Sequence, residues 1–395
     1  MRARDFQQTL RVTRRPATAL TLAALAGCGG GSTAPTGAPS PSPSDRAASL
    51  NMVLLAHVDL AALSLTTVAQ DDGHPASGPQ ASSAAGNYGY TSPDGRRFAL
   101  TGVSDGLSIV EVTDPRNPRR IAHIPGAASQ WREVRTYGHY LYVTTEARVG
   151  MDIIDMANPS QPRKVGAYTD TFSSAHSLFI DTDRGLLYAH GTRSTAGVST
   201  GMQVLALEPD PEHPRPVGSF GDFYVHDSYG RGDVLYAAAI NGGFLAVLDV
   251  ANPARIREIT RWATGGHFTH NAWLTGDGRY LFTTDEVNGR PLEGWDVRDV
   301  FQPRKVTEFI AAPGTIPHNV LIDGNRMVVS HYTEGVQLLD VTNPEQPRRL
   351  GFYDTYPGAP GGFNGTWGAY IFPGSNLIVV SDINGGLFVI QYTGP

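Results

Sequence analysis

Gly335-Val336-Gln337-Leu338-Leu339-Asp340-Val341-Thr342-Asn343-Pro344-Glu345-Gln346-Pro347-Arg348 decides the fold. It reads as a glycine, an apolar strand, an Asn-Pro turn with a second proline three residues on, and a basic residue that opens another strand. Nearly the same sentence recurs through the chain, with further copies opening at Gly106, Gly150, Gly201, Gly243, near Leu292 and at Gly386. Seven copies of a unit of about 40–50 residues must bury their apolar faces against one another, which is the signature of a repeat architecture.

Each copy divides into four strands. In the fifth, residues 271–274, 280–284, 292–297 and 305–310 read as strands one to four, with Gly276-Asp277-Gly278 as the first turn. Turns of this kind between apolar runs are strong hairpin signals, and they recur as Pro93-Asp94-Gly95, Asp323-Gly324 and Pro373-Gly374. Asp114-Pro115, Asn158-Pro159, Asp210-Pro211 and Asn252-Pro253 repeat the second turn, where Asx and Pro fix a tight bend. Val300 replaces the first proline in the fifth copy, and only Pro303 remains.

Four short strands per repeat, with no amphipathic helix between repeats, predict an all-β chain folded as a seven-bladed β-propeller. The seventh copy lacks a fourth strand. Residues 53–58, Val-Leu-Leu-Ala-His-Val, resemble the fourth-strand pattern of residues 120–124, so an N-terminal strand at about 52–59 is expected to complete the last blade and close the ring. The competing expectation for residues 50–68 is a short helix beneath the ring.

The chain before the repeats has its own organisation. Five arginines between positions 2 and 15, an apolar core at 17–26 and small residues thereafter have the layout of an export signal. Leu25-Ala26-Gly27-Cys28 resembles a bacterial lipobox, so residues 1–28 are expected to be a lipoprotein signal, with Cys28 as the lipidated residue. Residues 29–50 form a Gly/Ser/Pro-rich tether, and 51–395 form the propeller. Cys28 is the sole cysteine, so disulfides, cysteine catalysis and Cys-based zinc sites are excluded. A net charge of −6 without a basic stripe gives no reason to expect nucleic acid. The expectation is an exported monomer held to a membrane through Cys28.

The apolar Ile-Ile-Asp-like strand followed by Asn-Pro resembles the LVIVD-repeat proteins of bacterial and archaeal surfaces. Val225-His226-Asp227, residues 269–275, Thr284-Asp285-Glu286, Pro317-His318-Asn319 and residues 363–367 are similar to the choice-of-anchor B family. That resemblance implies a seven-bladed surface propeller and no particular reaction.

In a propeller the start of strand one and the end of strand two open on one face of the central channel. Strand-one starts place His176, His226, Asp227, His270, Asn271, His318 and Asn319 there, as a candidate ligand-binding set. Strand-two ends add Glu146, His190, Asp285, Glu286, His331 and Asp382. Six of the twelve histidines fall on this face. Imidazoles with carboxylates suit a divalent metal ion, and His270, His318, Asp285 and Glu286 are the expected ligands. The alternative for each histidine is a structural bond to the neighbouring blade, repeated because the blades repeat. A binding module for a ligand, ion or protein is the leading expectation. A metal-dependent hydrolase with Asp285 or Glu286 as base is the second, and a structural or adhesion module the third. Gly102-Val103-Ser104-Asp105-Gly106 fits a nucleophile-elbow spacing, but it joins two strands where that motif needs a strand and a helix. Trp131, Trp273, Trp295 and Trp367 are expected in the core.

Overall fold

The computed structural model describes residues 49–64 and 82–395. The expected export signal, Cys28 and most of the expected tether lie outside the described residues. The described chain forms seven antiparallel four-stranded sheets, six of them from sequential strands and the seventh completed by an N-terminal strand, with a two-residue extra strand on the sixth. Blade five comprises Thr269–Leu274, Tyr280–Asp285, Leu292–Asp296 and Arg304–Phe309, within two residues of the sequence reading.

The repeated turn is held by one device. The acid that ends strand three ion-pairs with an arginine eight residues on, in Glu111–Arg119 at 2.8 Å, Asp155–Arg163 at 3.0 Å, Asp249–Arg257 at 2.8 Å, Asp296–Arg304 at 3.4 Å and Asp340–Arg348 at 3.2 Å. The same acid caps the turn, as where Asp155 Oδ1 accepts from the Ala157 N–H at 2.7 Å. Asx residues cap the next step, including Asp299, which accepts from the Phe301 N–H where Val300 has displaced the usual proline. Exposed ion pairs contribute less than about 1 kcal/mol, whereas a lost cap leaves a backbone donor unmet and costs about 1–2 kcal/mol. Urea unfolding is therefore expected to rank Asp155→Ala as more damaging than Arg163→Ala.

Immediately after that arginine the ladder slips by one residue. A bulge between strands three and four occurs in every blade, for example at Lys164/Gly166, Val247/Leu248 and Leu338/Leu339. It increases the twist of the outer strand.

The N-terminal strand obeys the same rule. Met52–Val58 pairs antiparallel with Gly386–Tyr392, with a bulge between Leu54 and Ala56. His57 opposes Phe388 as His123 opposes Ser108, so the likeness of residues 53–58 to 120–124 is a true equivalence of position. The competing helix also forms, but as one turn after the strand. It spans Leu60–Leu63, capped by Asp59, with Leu63 fully buried. Ahead of the strand, Ser49–Leu50 pairs with Phe352 and Tyr353 of blade six. Residues 49–58 thus bridge two blades, turning at Asn51, whose backbone is left-handed (φ 51°) and whose side chain donates to Leu350 O at 2.7 Å.

Apolar clusters lie between blades. Phe98, Leu100 and Ile109 of blade one meet Val134, Leu141 and Ile154 of blade two. Met52 joins Val328 and Leu338 of blade six to Ile378 and Ile390 of blade seven. With both faces of each sheet covered, the polar side chains of the inner strands have the central channel to occupy.

Candidate functional site

In blades three, four and six the histidine that opens strand one is pinned by its backbone. The N–H groups of His176, His226 and His318 donate to His190 O, Ala238 O and Ser330 O at 2.8–2.9 Å. The side chains then meet ring to ring. Centroids lie 4.3 Å apart for His176–His226, 4.4 Å for His226–His270, and 4.3 Å for His270–His318. Trp367 of blade seven continues the arc at 4.3 Å from His318, and Trp131 stacks on it at 4.3 Å. These six rings thus form one continuous run of contacts, all of them buried.

Part of this arc is the interblade bonding that repetition alone would produce. His226 Nδ1 bonds His270 O at 3.1 Å and His318 Nδ1 bonds Trp367 O. These bonds set the tautomer, placing the hydrogen on Nδ1 and the lone pair on Nε2. His270 has no hydrogen-bond partner within normal geometry at either nitrogen, although the His318 backbone lies near enough to offset some of its burial. Nε2 of His318 is likewise buried without one.

Both nitrogens face Glu286. His270 Nε2 lies 3.9 Å from Glu286 Oε2, and His318 Nε2 lies 3.8 Å from Oε1. The Tyr332 hydroxyl donates to Oε1. One donor atom from each of His270, Glu286 and His318 falls within 4.8 Å of the others. Burial pushes His318 down to about 3 and His270 well below the ordinary imidazole value, with neighbouring histidines adding to the second shift. Both rings are neutral at physiological pH. His176 behaves oppositely, since burial disfavours its charge but the bond from Nδ1 to Glu146 Oε1 at 2.7 Å outweighs it and raises the pKa.

The other expected residues have different work. Asp285 is not at the metal set. Its carboxylate accepts from Thr264 Oγ1 at 2.6 Å, Phe268 N at 2.8 Å and Gly266 N at 2.9 Å, which ties down the loop before strand one. Both of its carboxylate oxygens are thus engaged, and it is not among the residues whose donor atoms converge with those of His270 and His318. Asp382 does a similar job in blade seven, accepting from Thr355 and Gly385. Asp227, Asn271 and Asn319 sit one step below the histidines. Asn271 donates to Asp227 Oδ2 at 2.6 Å and accepts from the Val320 N–H at 3.0 Å, so both it and Asp227 are engaged between blades. Burial raises Asp227 to about 6, against the opposing pull of Arg135. His190 bridges Ser177 and Ser228, each at 2.8 Å. Below them lies a cavity of about 30 Å³ bordered by Asn87, Glu133, Arg135, Asn271 and Asn319, room for a water or two.

Sequence reasoning missed two members. Trp367 is buried, as expected of a core residue, but Thr366-Trp367-Gly368 also aligns with Thr269-His270-Asn271 and takes the same place in the ring arc. Tyr332 follows His331 at the end of strand two, and no motif distinguished it from an ordinary turn aromatic.

Residues 128–170, which contain blade two, match the LVIVD repeat. The chain is a β-propeller whose second blade carries an LVIVD repeat. The solved structures similar to this propeller include the periplasmic gluconolactonase of Pseudomonas aeruginosa, at a TM-score of 0.52 and 15% identity, over 70% of this chain and 86% of that one. At that identity the likeness is one of fold. No curated protein matches the chain by sequence.

Proposed function

We propose that this propeller is an exported, membrane-tethered binding module that holds a small ligand or ion at the histidine-lined mouth of its channel. The observation that carries the reading is the inward-facing, unpartnered Nε2 of His270 and of His318 around Glu286. A buried polar atom left without a partner costs about 1–3 kcal/mol, and binding recovers that cost. A purely structural arc would have closed those nitrogens on protein atoms, as His190 is closed on Ser177 and Ser228.

Enclosure favours binding over turnover. His270, Glu286 and His318 are each 3% exposed or less, and the cavity beneath is about 30 Å³, against several hundred Å³ for sites that accommodate organic substrates. The export signal and Cys28 support attachment at the cell envelope.

Native mass spectrometry of the protein isolated from its own envelope is the direct test. The expected mass exceeds that of the polypeptide and its lipid by one bound species. The triple variant His226→Ala, His270→Ala, His318→Ala is expected to lose that species. Bare protein mass in the wild type would exclude a tightly held ligand and leave the arc a structural element.

A further inference from the structure

We propose that His270 Nε2, His318 Nε2 and the Glu286 carboxylate bind one divalent transition-metal ion of the zinc type, an inference that names the ligand of the binding site proposed above and rests on it. Bonds of about 2.0–2.1 Å around a tetrahedral ion place its ligands about 3.4 Å apart. His270 Nε2 lies 3.9 Å from one Glu286 oxygen and His318 Nε2 lies 3.8 Å from the other, and one donor atom from each of the three residues lies within 4.8 Å of the others. Closing on an ion therefore requires side-chain movements of an ångström or less.

The surroundings are built for this. The bond from His318 Nδ1 to Trp367 O orients the ring and frees Nε2, as a backbone carbonyl behind a metal-bound histidine does. Tyr332 holds Glu286 in the same manner. Two neutral imidazoles and one carboxylate complement a dication, which removes the cost of burying the carboxylate's charge. Imidazole ligation selects Zn, Co, Ni or Fe over Ca and Mg, which demand oxygen donors. Three protein donors leave a fourth position for water.

The test uses the full chain stripped with chelator and titrated with Co²⁺ alone, followed by Zn²⁺. The expected result is one Co²⁺ per chain, with the visible absorption of a four-coordinate ion, displaced by Zn²⁺. His270→Ala and His318→Ala are expected to weaken binding by at least about 100-fold, and Tyr332→Phe by about 10-fold with a shifted spectrum. Since the alanine variants open a buried layer, the isosteric Glu286→Gln is the deciding variant, and it too is expected to lose about 100-fold. His213→Ala, on an exposed side chain, is expected to change nothing. No Co²⁺ uptake by the wild type, or uptake that Glu286→Gln leaves intact, overturns the metal assignment. If native mass finds an organic species while Co²⁺ is never taken up, the metal assignment falls and the binding module stands.

Discussion

Deletion of residues 49–58 is expected to abolish cooperative folding of the propeller. The segment supplies the whole fourth strand of blade seven and a short fifth strand to blade six. Its removal strips six ladder positions from residues 387–392 and uncovers Leu387, Phe388, Val389 and Ile390, all within 1% of full burial. Uncovering an apolar side chain costs about 1.5–3 kcal/mol, so two or three of them reach the margin of about 5–15 kcal/mol that holds a typical domain together. The deletion also opens the ring, leaving a raw sheet edge. Thermal unfolding followed by circular dichroism is expected to show a broad, non-cooperative transition, and gel filtration to show association. A permutant that carries residues 52–64 after Pro395 through a short hairpin is expected to recover the sharp transition, because Tyr392 already opposes Met52. A deletion variant that melts like the intact protein would mean that the clasp is an ornament.

The second large effect is acid lability. His190 is fully buried, and desolvation holds it at about 3, against an ordinary value of 6.5. Below pH 6.5 the unfolded chain takes up a proton that the folded one refuses. Stability is therefore intact above 6.5 and falls by about 1.4 kcal/mol per pH unit as pH drops toward 3, up to about 5 kcal/mol for this one ring. His331, held at about 4 by burial, pulls in the same direction. Asp227 and Asp354, raised by burial to about 6, oppose it between pH 6 and 4, because each binds its proton more tightly when folded. His318 and His270, also kept neutral by burial, add to the pull of His190 and His331, so stability is expected to start falling just below pH 6.5 and to keep falling toward 4. The urea midpoint measured from pH 7.5 to 4.5 reads this directly, and a midpoint that holds steady across that range would contradict the neutral buried histidines. His190→Gln, which keeps hydrogen-bonding capacity toward the two serines, is expected to flatten the slope by about one proton.

The blades were legible because their grammar is local. An acid eight residues before an arginine, an Asx-Pro turn and a glycine before the third strand all act within a dozen residues, and repetition multiplied a weak signal seven times. The closing strand was legible for a related reason, since residues 53–58 and 120–124 fill the same slot in different blades. The bulge that both share was not visible, because it inserts no particular residue type. The site was less readable. Position within the repeat brought His176, His226, His270 and His318 to one face, and the arc bears this out. It could not separate Asp285 from Glu286, because neighbours in sequence point to opposite sides of the loop, one into a backbone cage and the other toward two histidines. Trp367 was hidden by the habit of assigning tryptophan to cores. Tyr332 acts only through Glu286, a contact between blades five and six that no local pattern records.

The clasp also sets a schedule. His57 bonds Gly385 across a separation of 328 residues, and synthesis proceeds at about 5–20 residues per second. Residues 52–58 therefore exist for tens of seconds before their partner strand has been made. During that interval blades one to six can assemble in turn, each on its predecessor, while the earliest strand of the ring waits for the latest. Completion of the molecule is thus an event of the C-terminal end, and a chain interrupted anywhere short of residue 392 carries an open ring with an unclaimed strand at its head.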